Sequence, residues 1–362
     1  MIALCYGTRP QVIKASVLRR ALAAIGPVHA IDTGQHYDYA LNALLYEQLG
    51  VAPPDRFLDA GSASHAEQTA TILTRAADAL TQLQPRAVVV IGDTNSTLGV
   101  ALAATKLRLP VVHVEAGLRS VDRLMAEEIN RRAVDAIATL LCTPCEAATR
   151  RMRAEHPDAT VVESGDVARD VLESVQARLP APGSIVAGCE SPYLFATLHR
   201  AELTDVPARL GSVVRALASL GMRALLAVHP RTRAALASLG LDAVEQGALR
   251  LMPAVGYLES LALARGAAAV VTDSGGLQRE AYWLGTPCIT VRGETEWEET
   301  VALGANLLVP PEAAEAGLAD AVRDQVARWQ GRPRWNASVY GEGHAAEKVA
   351  SAIATMPPCR TA

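Results

Sequence analysis

No run in the 362 residues is apolar and long enough to span a bilayer, and no lysine and arginine cluster resembles the basic stripe of a nucleic-acid groove. With 34 Lys plus Arg against 38 Asp plus Glu, the net charge is only -4, which argues against a polyanion partner or a membrane surface. Residues 1–6 are apolar but lack a charged n-region, and Gly7-Thr8-Arg9-Pro10 interrupts them too early for a signal peptide. Six scattered cysteines make no disulfide framework, so a reducing, cytoplasmic location is expected. Cys142-Thr143-Pro144-Cys145 has no second pair at zinc-site spacing. Thr143 and Glu146 instead stand at capping-box spacing, with Pro144 at the first helical position, as at a strand-to-helix junction. Neither G-x-G-x-x-G nor G-x-x-x-x-G-K-[ST] occurs, which argues against a Rossmann dinucleotide fingerprint and a P-loop ATPase.

What is present is an α/β rhythm. Apolar runs at 2–7, 28–33 and 87–91 alternate with helical patterns at 15–25 and 66–83, as in βαβ units with a parallel sheet. Half of the residues are hydrophobic and the length is about twice a usual domain, so two domains with their own cores are expected. The breakers Pro180, Pro182, Gly183, Gly188 and Pro192 mark a linker over 179–192. A second rhythm follows, with strands at 193–198, 224–228, 268–272 and 288–291. The expectation is an α/β fold of two Rossmann-like domains, 1–178 and 193–343, with a central cleft and a final helix, 344–357, packed back on the first domain.

Polar residues at the carboxyl ends of such strands are candidates for chemistry, because open α/β sheets bind ligands there. Asp93 and Glu115 end two apolar runs, and Glu127 follows on a helix. Carboxylates gathered at one place raise one another's pKa, so one can hold a proton while another acts as base. Glu127, Asn130 and Arg131 share a helix face by spacing, and Ile129, Ala133, Ala136 and Ile137 form an opposing apolar stripe that would pack on the sheet. A surface pair between Glu127 and Arg131 is the simpler reading of that helix.

Thr8 and Gln11 have capping-box spacing after the first strand. They put a helix N-terminus beside Arg9, with Lys14 about a turn further on, as an anion would require. Asp273-Ser274-Gly275-Gly276 follows another strand and makes a second candidate anion turn, with Glu280 placed to accept hydrogen bonds from a ribose. His199, Arg200 and His229 also end strands; either histidine could serve a diphosphate or a leaving group. Each of these features also has a plain reading as a helix cap, a turn or a solvated charge.

Taken in order, these motifs resemble one family, the non-hydrolysing UDP-N-acetylglucosamine 2-epimerases, over nearly the whole chain. The resemblance is carried by Gly7-Thr8-Arg9-Pro10 with Lys14, Gln35-His36, Gly92-Asp93-Thr94, the segment His113-Val114-Glu115-Ala116-Gly117-Leu118-Arg119, Glu127-Glu128 with Asn130-Arg131, His199-Arg200, Asp273-Ser274-Gly275-Gly276 with Gln278 and Glu280, Thr295-Glu296, and Tyr340-Gly341-Glu342-Gly343. It implies the glycosyltransferase-B fold, a homodimer, and no metal or redox cofactor. The implied activity is anti elimination of UDP from UDP-GlcNAc to 2-acetamidoglucal, followed by re-addition with C2 inverted to give UDP-ManNAc. On matching positions, Asp93, Glu115 and Glu127 would handle the C2 proton. His199, Arg9 and Ser274-Gly275-Gly276 would hold the diphosphate, Glu280 the ribose, and Gln35 and His36 a second, activating UDP-GlcNAc.

The chain departs from the best-known members in four places. Gln11 replaces Glu, the segment between Arg119 and Glu127 is short and lacks Trp-Pro, Trp297 replaces the Arg of a Thr-Glu-Arg-Pro motif, and Asp38 is unusual near Gln35. The first three, with residues 33–38, look more like the branch that includes 2-epimerases of UDP-diacetamido-uronic acids. A hydrolysing epimerase releasing ManNAc and UDP, a retaining glycosyltransferase of the same architecture, and an inactive nucleotide-sugar sensor are the remaining alternatives.

Overall fold

The computed structural model describes residues 1–35, 45–187, 189, 192–330, 335 and 337–357. The chain divides into two compact units, Met1–Val175 with Ser338–Ala362, and Gln176–Ala337. Residues 179–192 carry a short helix, Pro182–Ile185, and Val186 packs with Tyr193 and Phe195, so this breaker-rich stretch lies within the second unit.

The first unit holds a parallel sheet of β1 (Ile2–Tyr6), β2 (Val28–Asp32), β3 (Arg56–Phe57), β4 (Ala87–Ile91), β5 (Val111–Val114), β6 (Leu140–Thr143) and β7 (Thr160–Glu163). Its order is β3-β2-β1-β4-β5-β6-β7. β1 and β4 are buried throughout because helices cover both faces, which is why they read as unbroken apolar runs. Ala3, Cys5, Val88, Val90 and Val111 meet Ile72, Ala76 and Leu80 of the helix His65–Leu83 in one core. The helix Ala345–Ala354 packs on the helices Arg9–Ala23 and Val167–Val175. Its first N–H groups, at Ala345 and Ala346, donate to Asp170 at 3.1 and 2.7 Å.

The second unit repeats the plan with β8 (Tyr193–Thr197), β9 (Arg223–Val228), β10 (Glu245–Gln246), β11 (Leu249–Pro253), β12 (Ala269–Thr272), β13 (Cys288–Thr290) and β14 (Asn306–Leu308). The order is β10-β11-β9-β8-β12-β13-β14, parallel except for the β10-β11 pair. Leu194 and Ala196 face one core and Tyr193 and Phe195 another, as side-chain alternation on a doubly covered sheet demands. In each sheet the first and fourth parallel strands, β1 with β4 and β8 with β12, are neighbours where the strand order reverses. Their carboxyl ends form the crevice in which such sheets bind ligands. Among the described residues, no helix is long and apolar enough to cross a membrane.

Two local expectations change. The helix Glu146–Glu155 starts from Cys145, not Thr143. Thr143 ends β6 paired with Glu163 of β7, and its hydroxyl bonds Thr149 Oγ1 at 2.6 Å, so the strand ladder claims the residue that spacing marked as a cap. Burial pushes the Cys142 thiol up to about 12, which leaves it unreactive. The helix Ala126–Ile137 also turns a different face inward. Ile129 and Ala136 are exposed, while Glu128, Asn130, Arg131, Val134 and Asp135 are buried.

Candidate active site

At the β1 end, Thr8 caps the helix Arg9–Ala23 as its spacing predicts. Gln11 Oε1 accepts from the N–H groups of Gly7 and Thr8 at 2.9 and 3.2 Å. Its Nε2 faces Ile91 O at 2.6 Å and the hydroxyls of Thr94 and Thr97 at 2.9 Å. Gln11 accepts on one side and donates on the other, which an ionised glutamate cannot do, and so ties the start of this helix to the end of β4. Arg9 opens the helix, half-buried. Gly7 is demanded by packing: a methyl group there would lie 1.9 Å from Thr33 Oγ1 and 2.2 Å from Ser96 Oγ.

Two of the carboxylates, Glu115 and Asp93, are set beside a cation. Lys14 Nζ pairs with Glu115 Oε2, both largely buried. Asp93 Oδ2 accepts from Arg131 Nη2 at 2.5 Å, and Asn130 Nδ2 donates to the Asp93 backbone carbonyl at 2.9 Å. Each of these two carboxylates thus has a cation within hydrogen-bond distance. Glu115 has φ +72, in the left-handed region where a side chain is strained, and Gly92 before Asp93 has φ +66. A methyl on Gly92 would lie 3.3 Å from Glu115 Oε2, so the Glu115 carboxylate lies against the turn that precedes Asp93.

Behind them lies a buried charge network. Glu128 is fully buried and accepts from Ser120 N at 2.9 Å, Arg131 Nη1 at 3.2 Å and Arg132 Nε at 2.7 Å. His113 bonds Asp135 Oδ1 at 2.7 Å and the Gly92 carbonyl at 2.8 Å, and Arg119 Nη1 donates to Asp135 Oδ2 at 2.6 Å. Burial alone would raise the Asp135 pKa, but its hydrogen bonds and opposite charges from His113 and Arg119 outweigh that and hold it low. The helix turns charge inward because these partners, distant in sequence, satisfy it.

Asp93 and exposed Glu127 line one cavity of about 180 Å³ with Thr8, Gln35, His65 and Asn130. Gln35, read as part of a separate activator site, therefore sits beside the carboxylates; its Oε1 accepts from Ser96 N at 2.9 Å and Ser96 Oγ at 2.6 Å. His36 and Asp38 lie outside the described residues. His65 was missed by the sequence reading. Its signal was the capping box Ser64–Glu67, which puts it at the first position of a helix whose N-terminus reaches this cavity.

The second unit has a different chemistry at its β8 and β12 ends. Asp273 Oδ2 accepts from the N–H groups of His199 and Arg200, both at 2.8 Å, and Oδ1 lies 3.3 Å from His199 Nδ1. The half-exposed histidine thus has a buried carboxylate behind it, a partner 74 residues away that spacing did not reveal. Ser274 caps the helix Gly275–Leu284, its hydroxyl accepting from Leu277 N at 3.3 Å. The early N–H groups of that helix carry its positive end. Gly276 is in its first turn and Glu280 one turn further, half-buried. His229 is exposed at the start of the helix Pro230–Ser238, which Thr232 ties to the Leu198 carbonyl beside His199.

A family model described as UDP-N-acetylglucosamine 2-epimerase matches residues 24–354. The chain belongs to that family. With it come the isomerase class and the sugar-nucleotide chemistry for which its members are named. A UDP-2,3-diacetamido-2,3-dideoxy-D-glucuronate 2-epimerase from Pseudomonas aeruginosa is 38% identical, over 98% of this chain and 99% of the relative. The crystal structure of Methanocaldococcus jannaschii UDP-GlcNAc 2-epimerase in complex with UDP-GlcNAc and UDP superposes with a TM-score of 0.88 at 35% identity, covering 97% of this chain and 99% of that one. The glycosyltransferase SnogD from Streptomyces nogalater, at TM-score 0.56 and 18% identity, shares the fold alone. The two Rossmann-like domains are thus of the glycosyltransferase-B type.

Proposed function

We propose that this family member inverts C2 of UDP-GlcNAc without hydrolysing it, by anti elimination of UDP and re-addition. The observation that carries this is the cavity shared by Asp93 and Glu127, with Glu115 in contact with the turn that bears Asp93. In the forward step a carboxylate takes the C2 proton as the C1–O bond breaks. The electron pair of that bond leaves on UDP, and 2-acetamidoglucal remains. A proton then returns to the opposite face of C2 while UDP adds back to C1. Lys14 on Glu115 and Arg131 on Asp93 fix the side-chain positions, and proton transfer by positioned carboxylates of this kind contributes roughly 10²–10⁴-fold. His199, oriented by Asp273, with Arg200 and the Ser274-Gly275-Gly276 turn, meets the charge that develops on the departing diphosphate. Glu280 is assigned to the ribose.

A second reading keeps the chemistry and changes the sugar to a UDP-2,3-diacetamido-uronic acid. It is favoured by the 38% identity to the Pseudomonas aeruginosa enzyme over nearly the full length of both chains, and by Trp297 and the short 119–127 segment. Incubation with each UDP-sugar in D2O, read by NMR, tests both. Deuterium at C2 with formation of the C2 epimer is expected for the true substrate. Absence of exchange with either sugar would sink the proposal, and free sugar accumulating in excess UDP would make the enzyme a hydrolase instead.

A further inference from the structure

The space in front of Gly275 is ringed by nitrogen. A methyl group placed on this glycine would lie 3.8 Å from Trp297 Nε1, and 3.9 Å from both Arg200 Nη2 and Gln278 Nε2. All three atoms carry protons, and the helix Gly275–Leu284 adds its early N–H groups from the other side. Three donor nitrogens at this distance favour an occupant that brings acceptors.

Gln278 is the most telling member of this ring. It is fully buried, and its Oε1 accepts from Thr295 Oγ1 at 2.8 Å and Asn306 Nδ2 at 3.1 Å. Asn306 is in turn fixed, because its Oδ1 accepts from Thr290 Oγ1 at 2.9 Å. Two donors on the oxygen settle which way the amide points, and they leave Nε2 facing Gly275. Among the described residues, that nitrogen has no hydrogen-bond partner. A buried amide N–H without a partner is destabilising, so a fold that locks one in place by a network on its other end has a use for it.

The loop supplying Trp297 is equally fixed. Arg292 pairs with Glu296 at 3.0 Å, both buried, and Trp297 N donates to Thr295 Oγ1 at 3.2 Å. Arg279, the residue after Gln278, lays its guanidinium 3.8 Å from the Trp297 ring centroid and donates from Nε to the Gly275 carbonyl at 3.1 Å. A cation thus stands on the ring whose nitrogen edges the space, adding positive potential to it.

We propose that Gln278 is a substrate-binding residue: its Nε2 donates to a phosphate oxygen of the nucleoside diphosphate, and the Arg279–Trp297 stack holds the cationic wall beside it. This deepens the reading of the site as one for a UDP-sugar and rests on it. The test is the affinity of the full chain for UDP and for uridine, by calorimetry, in wild type, Gln278→Glu and Gln278→Met. Far-UV dichroism and melting temperature verify that each variant is folded.

Gln278→Glu, which leaves Thr295 and Asn306 their acceptor but turns a carboxylate oxygen toward the phosphate, is expected to weaken UDP roughly tenfold to a hundredfold. Uridine affinity should stay within about twofold, since the change concerns the phosphate only. Gln278→Met, neutral and without the donor, should weaken UDP roughly tenfold. Equal UDP affinity in wild type and both variants, or equal weakening of UDP and uridine, would overturn the assignment. The outcomes separate from those of the proposed reaction. Wild-type C2 exchange with unchanged UDP binding in the variants rejects Gln278 alone. Selective loss of UDP binding in an enzyme that exchanges no UDP-sugar rejects the reaction and keeps Gln278. A wild type that binds no UDP rejects both.

Discussion

Gly7 and Gly275 each follow a strand at the reversal of their own sheet's order, Gly7 after β1 and Gly275 after β12, yet each is glycine for a different reason. At Gly7 the missing side chain makes room for the protein itself, because Thr33 and Ser96 fill the space to within 2.2 Å. At Gly275 the same space holds nothing closer than 3.8 Å, and what surrounds it are donors. The first unit has satisfied its charges internally, Lys14 with Glu115 and Arg131 with Asp93. The second sets three donor nitrogens around Gly275. On the proposed reading, one unit carries the proton-transfer groups and the other the anion site.

The largest effect that would test this contrast is on the reaction itself. Glu127→Gln is expected to lower C2 deuterium exchange by roughly 10²–10⁴-fold while UDP affinity, measured by calorimetry, stays within about twofold. Wild-type exchange in this variant would make the exposed end of that helix structural. Next in size is Glu128→Ala, which removes the buried carboxylate shared by Arg131, Arg132 and Ser120. Leaving Arg131 buried without that carboxylate costs about 3–5 kcal/mol, or roughly 6–20 °C of melting temperature by scanning calorimetry.

The two glycines sharpen the comparison directly. Gly7→Ala must displace Thr33 or Ser96 and is expected to destabilise by about 1–3 kcal/mol. Gly275→Ala meets nothing closer than 3.8 Å, so its melting temperature should match wild type while UDP affinity falls. The opposite pattern, a loss of stability at Gly275 and of affinity alone at Gly7, would reverse the roles assigned to the two turns.

The smallest effect concerns pH. Because the folded-state pKa of Asp135 is depressed, its carboxylate contributes stability that is present above the unfolded value of about 3.9 and is lost as pH falls through the folded one. Asp135→Asn is therefore expected to be less stable than wild type at neutral pH, with the difference shrinking on acidification. A constant difference between pH 7 and pH 3 in urea titrations would show that the charge is not what stabilises this network.

Much of this was legible beforehand. The run 87–91 became β4 without a change of boundary, and 193–198 became β8 one residue shorter, because strands buried on both faces leave an unmistakable apolar signature. Thr8 and Gln11 formed the predicted cap, since capping is decided within four residues. The helix Ala126–Ile137 was read with the wrong face inward. Its spacing allowed two amphipathic readings, and local sequence could not tell that Glu128, Arg131 and Asp135 would find partners at Ser120, Asp93, His113 and Arg119.

By itself, then, the sequence determined the two α/β rhythms, the turns at the strand ends and the carboxylates and glycines that occupy them, because period, capping and backbone freedom act over a few residues. Only the tertiary structure decided which charge faces which. Lys14 meets Glu115 across 101 residues, His199 meets Asp273 across 74, and Gln278 is turned by Asn306, 28 residues on. Ion pairs and buried amides are chosen by what the folded chain brings within hydrogen-bond distance, since a charge or polar group removed from water must be satisfied there or aimed at a ligand.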